Sequence, residues 1–214
     1  MRNTEKDAAE MAERREAILD AGFRLFAEKT IDPVSMNDVA KAAGVGIATL
    51  YRYYSTKQEL VLAISTRVLE SYLAENSLQR GALVRSGMNA GQEFEFFLDF
   101  FIDVYRNHAD ILRFNQFFNV YVANEEISPE IMRPYLKIIN GLAEQFHAMY
   151  ERAKSDHSLR TDFPEKQMFS ATLHIMLAAV TCYEVGLVYQ PDPESDPESE
   201  LLLLRDMLLQ RFVV

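Results

Sequence analysis

A single cysteine, Cys182, and no tryptophan occur in the 214 residues. One thiol cannot close an internal disulfide, so this is no disulfide scaffold. Cys182 lies in an apolar stretch and reads as a buried thiol rather than a nucleophile. The four histidines, His108, His147, His157 and His174, are too scattered to form a compact metal motif. The eight glycines make no phosphate-cradling loop, and no catalytic arrangement stands out, so neither enzyme chemistry nor a cofactor is expected. The apolar run Ala178–Gly186 is short and interrupted by Glu184, which predicts no membrane span. Met1–Ala12 is polar and acidic; it predicts a fraying end and does not resemble a signal peptide. A cytoplasmic protein is expected. Positive charge is also scarce: the formal net charge is −10, which opposes nonspecific binding to nucleic acid. The deficit is uneven, however. Residues 1–60 carry nine Lys or Arg against ten Asp or Glu, and the acidic excess falls on the remainder.

What is present is helical periodicity, most informatively in Ser35–Leu60, SMNDVAKAAGVGIATLYRYYSTKQEL. Val39, Ala40 and Ala43 share one helical face. Ser35 precedes them and Asp38 follows three residues later, a capping-box variant. Gly44 stands where a left-handed residue would end the helix, and Val45 would plug the turn. A second helix follows over Ala48–Tyr54 with Leu50 as its core anchor. Small Ala40 and Ala43 permit the close approach of a helix-turn-helix; an ordinary helical hairpin is the alternative. On the outer face Thr49, Tyr51, Arg52 and Tyr53 offer hydroxyls and a guanidinium suited to phosphates. Lys57 stands where its charge and the next helix's N–H groups would meet a phosphate.

AKAAGVGIATLYRYY, the preceding RREAILDAGFRLFAEK and the opening Lys57–Gln58–Glu59–Leu60 resemble the TetR family of bacterial transcriptional regulators. The resemblance implies an all-α fold: a three-helix DNA-binding head over residues 1–56, and a larger effector-binding and dimerisation domain over 57–214. It implies phosphate contacts from Thr49, Tyr51, Tyr53 and Lys57. Asn37, Ile47 and Ala48 occupy positions that face bases, and Arg52 joins this surface. Two departures bear on the head. Thr30 stands where relatives carry Gly after the first helix, and Thr resists a left-handed conformation. Gly46 stands where Ser or Thr would cap the recognition helix, and it offers no side-chain acceptor.

The first helix is expected over Glu13–Glu28, with Ile18, Ala21, Leu25 and Phe26 inward. Further helices are expected over Lys57–Ala74, Gln92–Asn107, Ile111–Ala123, Pro129–Ala153, Pro164–Tyr189 and Leu201–Val213, with 77–91 containing a loop. PDPESDPESE, 191–200, reads as a stiff acidic loop. Fourteen Phe and ten Tyr invite one aromatic interior. Phe97, Phe101, Tyr105, Phe114, Phe118, Tyr121, Phe146, Tyr150, His174 and Tyr183 are candidates to line an effector pocket, with Asn115 and Gln116 at its edge; a filled core is the alternative. Leu173, Leu177, Val180 and Leu187 stripe one late helix; Leu201, Leu204, Leu208 and Phe212 stripe the last. Both stripes suit a subunit core, and the family resemblance favours a homodimer built from these helices. The expected function is a ligand-responsive repressor. Its partners are double-stranded operator DNA, a second copy and a small apolar or aromatic effector, with no membrane. A constitutive DNA-binding or interaction protein, and a helical enzyme, are the alternatives.

Overall fold

The computed structural model describes residues 4–186 and 196–214. Among these, nine helices follow one another: α1 Thr4–Lys29, α2 Met36–Ala42, α3 Ile47–Tyr53, α4 Lys57–Arg85, α5 Ala90–Asn107, α6 Ala109–Asn124, α7 Pro129–Asp156, α8 Glu165–Val185 and α9 Pro197–Phe212. The fold is all-α. Residues 191–195 of the expected acidic loop lie outside the described residues, as does Leu187, while the rest of that stretch, from Asp196 on, caps and opens α9 instead of forming a loop. The chain divides into two compact units. One comprises Met1–Leu69 and Arg113–Leu136, the other Glu70–Leu112 and Lys137–Val214.

In the first unit, the helical period places Ile18, Leu19, Phe26 and Ala27 of α1 inside. Leu25 is half-buried. The α1 helix begins at Thr4, before the expected Glu13, so about two and a half turns of polar sequence extend it. Gly22 lets α4 approach closely: a Cβ there would lie 2.5 Å from the Cδ1 of Ile64 on α4, so the buried Ile64 tip would have to shift. Val39, Ala40, Leu50, Tyr54, Leu60 and Ile64 complete the core of the head, joined by Phe114, Phe118 and Tyr121 of α6. Phe114 meets Phe23 edge-on at 5.4 Å, and Phe118 tilts against Tyr135 at 5.1 Å.

In the second unit, α5 starts on Asn89, whose side chain caps Gln92 N–H while Gln92 reaches back to Asn89 N–H. Phe94, Leu98, Phe101 and Ile102 form its buried face. Both α8 and α9 pack on α5 and on each other. Phe94 lies edge-on to Phe146 of α7 and to Phe212 of α9. The α4 helix runs through Gly81 to Arg85, past the expected end at Ala74, because Gly81 costs only about 1 kcal/mol in a helix interior. Gly87, with φ 101°, follows the stop.

Taken whole, α8 is 21 residues with a mean hydropathy of 1.4 in its most apolar window, long and apolar enough to cross a membrane by length and composition alone, a test that the core helix of a soluble protein also passes. One expectation about the late helices changes. Cys182 is exposed rather than buried. Its neighbours Val180 and Thr181 take the inward positions, and the helical phase turns Cys182 outward.

Candidate nucleic-acid interface and helical-domain cavity

Local chemistry builds the head. Ser35 Oγ accepts from Asp38 N–H at 3.2 Å, and Asp38 Oδ2 accepts from Ser35 N–H at 2.9 Å, a reciprocal capping box on α2. The Ser35 hydroxyl, donating to Asp38 Oδ2 at 2.6 Å, and then the Ser35 N–H hold the Asp38 carboxyl below its usual value. Gly44 is left-handed at φ 68°, and Val45 N–H donates to Ala40 C=O at 3.0 Å. The N-cap of α3 is Gly46, extended and without a side-chain cap bond. Leu50, fully buried, anchors α3. Asn37, Ile47, Ala48, Tyr51 and Arg52 therefore stand on the solvent side, with Tyr51 50% exposed.

The other proposed DNA contacts are partly engaged within the head. Thr49 is half-buried. The Tyr53 hydroxyl donates to the Met11 carbonyl at 3.2 Å. Lys57 Nζ donates to the Asp32 carbonyl at 3.0 Å and lies 6.0 Å from the Tyr121 ring centre. Burial lowers its pKa, against the pull of Asp32 and Glu125. The first turn of α4 is also partly satisfied: Glu59 N–H donates to Thr56 Oγ1, and Glu59 Oε2 accepts from Ser55 N–H and Ser55 Oγ. A phosphate there would share a helix start already capped by its own residues. A contact missed from sequence is Arg15 Nε to Tyr54 Oη, 3.2 Å, which ties α1 to the end of α3. Local periodicity carries no signal for this pair, 39 residues apart.

The ten aromatic and histidine candidates do not share one interior. Phe114, Phe118 and Tyr121 belong to the core of the first unit, and half-buried Asn115 and Gln116 stand with them on α6. Phe97, Phe101, Phe146 and Tyr150 belong to the core of the second. Tyr150 spends its hydroxyl on the carbonyls of Thr161 at 3.0 Å and Phe163 at 2.6 Å. Tyr183 donates to Glu200, and that bond with burial pushes its pKa up to about 12. Tyr105 is half-buried, its pKa raised chiefly by burial. His174 faces solvent on α8.

Within the second unit, a cavity of about 40 Å³ opens between α4, α5 and α7. Phe97 and Phe146 line it, as do Phe96, Phe100, Leu73, Leu142 and Met149. Its polar side holds Asn76, Gln145, Arg80 and Glu93. Glu93 is 2% exposed and pairs with both Arg80 and Arg152. Burial lowers the pKa of both arginines, and for Arg152 the charge of Arg80 adds to the shift. These polar residues were missed from sequence, although a signal existed. Glu93 falls on the buried face of α5 between Ala90 and Phe97, a register where an apolar residue is expected.

The model of bacterial regulatory proteins of the tetR family matches residues 18–64, which cover α2, α3 and most of the head core. An HTH-type transcriptional regulator of Staphylococcus aureus (strain bovine RF122 / ET3-1) is 36% identical over 70 residues, 33% of this chain and 36% of that protein. The chain spans between about a third and a half of the length of the curated relatives it matches. Solved structures share the fold over nearly their whole length. A putative transcriptional regulator from Saccharomonospora viridis in complex with choline superposes with a TM-score of 0.73 at 15% identity, covering 95% of this chain and 99% of that one. The transcriptional regulator FadR from Bacillus subtilis in complex with stearoyl-CoA gives 0.71 at 13% identity, covering 91% and 97%. Residues 18–64 thus match the head of the TetR family of bacterial regulatory proteins, and the helical fold as a whole is shared with solved transcriptional regulators.

Proposed function

We propose that this protein is a cytoplasmic transcriptional repressor, not an enzyme, that binds a near-palindromic operator as a homodimer and is released by a small ligand in its second unit. The observation that carries the reading is the outward face of α2 and α3: Asn37, Ile47, Ala48, Tyr51 and Arg52 lie together over a buried Leu50. Such a helix fits the major groove, and a twofold pair of them fits two half-sites one DNA turn apart. Tyr51, Arg52, Tyr53, Thr49 and Lys57 would hold phosphates, while Asn37, Ile47 and Ala48 meet base edges. Apolar Ile47 and Ala48 favour thymine methyl groups.

The domain division expected from sequence, residues 1–56 and 57–214, serves this reading as a reader and a sensor. Since α4 contributes residues to both compact units, it is the natural carrier of a ligand-dependent change. A coupling of about 1–3 kcal/mol would suffice for regulation. Phe97 and Phe146 beside the cavity support a ligand with an apolar or aromatic body. Two structural relatives were solved with small molecules, choline and stearoyl-CoA, which supports a ligand in this fold.

The test begins with selection of bound genomic fragments, followed by affinity measurement over a range of salt. Tyr51→Phe and Lys57→Ala should weaken binding to all sequences, and Lys57→Ala should also reduce the salt slope by about one. Asn37→Ala should alter base preference, and Thr49→Ala, which removes a phosphate-binding hydroxyl together with a methyl that can meet thymine, should weaken binding and alter preference as well. Unchanged binding in all four variants would rule out this docking. The cavity of about 40 Å³ favours one other reading, a constitutive DNA-binding protein whose helical core is filled. Operator affinity that no ligand changes would establish that reading instead.

A further inference from the structure

We infer that the ligand of the second unit is an organic acid, its carboxylate seated on Arg80 and its apolar body lying against Phe97, Phe100 and Phe146. This inference rests on the effector reading above and specifies its chemistry. Three observations carry it. Glu93 of α5, at the polar end of the cavity, is shared by two guanidinium groups: Arg80 of α4, which lines the cavity, and Arg152 of α7, which does not. Arg80 lines the cavity directly, along with Glu93 and the three phenylalanines. The buried Nε atoms of Arg80 and Arg152 have no hydrogen-bond partner, so donors stand unused where water is scarce.

Donor chemistry decides the class of ligand. Arg152 has both Glu93 and Asp156 acting on it, whereas Arg80 shares Glu93 with it and is the arginine that lines the cavity beside the aromatic wall. Neither Arg152 nor Asp156 lines the cavity. The Asp156 oxygens are taken by Ala90 N–H, Ser158 N–H and the Ser158 hydroxyl. An incoming carboxylate would take Arg80 in the forked geometry that guanidinium favours, leaving Glu93 on Arg152. Arg80 would then hold the ligand's carboxylate, and Arg152 would keep Glu93 and the nearby Asp156. An organic cation would gain the aromatic faces and Glu93, but it would have to approach Arg80 and Arg152. A neutral apolar molecule would leave the arginine donors unused. The cavity is smaller than a ring-bearing acid requires, so binding must part its walls. Gln145 Nε2 holds Ser77 Oγ across α7 and α4 at 3.3 Å, a long bond that is inexpensive to open.

The experiment measures binding of phenylacetate, phenylacetamide and benzyltrimethylammonium to the full-length protein by calorimetry, up to millimolar concentration. Phenylacetate should bind at least about tenfold more tightly than either of the others. Arg80→Gln should erase that preference. Arg152 remains on Glu93 in this variant, so no buried charge is orphaned. Glu93→Gln removes the internal competitor and should strengthen phenylacetate binding, a gain that a purely structural ion network would not produce. Equal binding of acid and amide, preference for the cation, binding of none, or weaker acid binding in Glu93→Gln would each overturn the inference. Operator release is measured separately. Acid that binds without releasing DNA would sink the effector reading and leave the acid site standing. A neutral compound that releases DNA while acids neither bind nor act would sink the acid site alone.

Discussion

Thr30 shows what a single residue can cost. It follows α1 at φ 66°, in the left-handed region, although its β-branched side chain disfavours that conformation. The turn into α2 holds it there: buried Ile31 and Val34 lock the loop, and Val34 N–H closes on Ile31 C=O. Thr30→Gly should therefore stabilise the head by about 1 kcal/mol, the relieved strain outweighing the greater entropy of an unfolded glycine. Urea denaturation would register a higher midpoint at an unchanged slope; a lower midpoint would mean that the threonine side chain supplies more than its strain removes. The capping box at Ser35 and the bare cap at Gly46 were legible in sequence, since each depends on neighbours within a few residues; at Thr30 the sequence argued for a differently shaped helix end, and the chain adopts the left-handed conformation all the same. Lys57 was not legible. Its present partner is a carbonyl 25 residues away, and only the packed loop brings Asp32 to it.

Helical elements were legible as types and less so as faces. The nine helices follow the apolar periodicity, with ends displaced where the local signal was weak. Gly81 did not stop α4, and α9 starts at Pro197 on an Asp196 cap rather than at Leu201. Phase was harder to read in α9, which is apolar around much of its circumference. The stripe Leu201, Leu208 and Phe212 turned out to be buried in the subunit's own core, with Leu204 half-buried beside it. On α8 the same holds for Val180, while Leu173 and Leu177 are half-buried. Between α7 and α8 a titrating contact adds a testable element. His147 Nδ1 lies 3.0 Å from Glu165 Oε2, and that hydrogen bond, then the Glu165 charge, raises the histidine pKa above 6.5. Glu151 adds to the shift and Lys154 opposes it. A raised folded-state pKa means that the stabilisation is fully present below the ordinary histidine value and is lost as pH rises through the raised one. The wild-type denaturation midpoint should fall slightly across that window, and His147→Gln should flatten the fall. Identical pH profiles for the two proteins would show that the pair contributes nothing, the usual outcome for a fully screened surface contact.

At the scale of the whole molecule, the surface of α8 and α9 bears on assembly. Leu203 is 63% exposed and Met207 57%, one helical turn apart; on α8, Ile175 and Val185 are also exposed. Much of the stripe chosen from sequence packs within the subunit, so under the proposed dimer this second apolar set would meet the partner. An apolar face of this kind suits a self-complementary twofold interface, in which the same patch meets itself. Leu203→Glu places a charge at that contact, and twofold symmetry places two such charges near one another. The variant should shift the protein to monomer in sedimentation and weaken operator binding, because each half-site would then be held alone. It should leave the subunit's own denaturation almost unchanged, since surface substitutions outside the core cost about 0.5 kcal/mol or less. Leu201→Ala supplies the contrast. That side chain is fully buried, and its loss should cost about 2–5 kcal/mol of subunit stability. If Leu203→Glu remains dimeric, the partner surface lies elsewhere; if it unfolds like Leu201→Ala, Leu203 contributes to the subunit's own core despite its exposure.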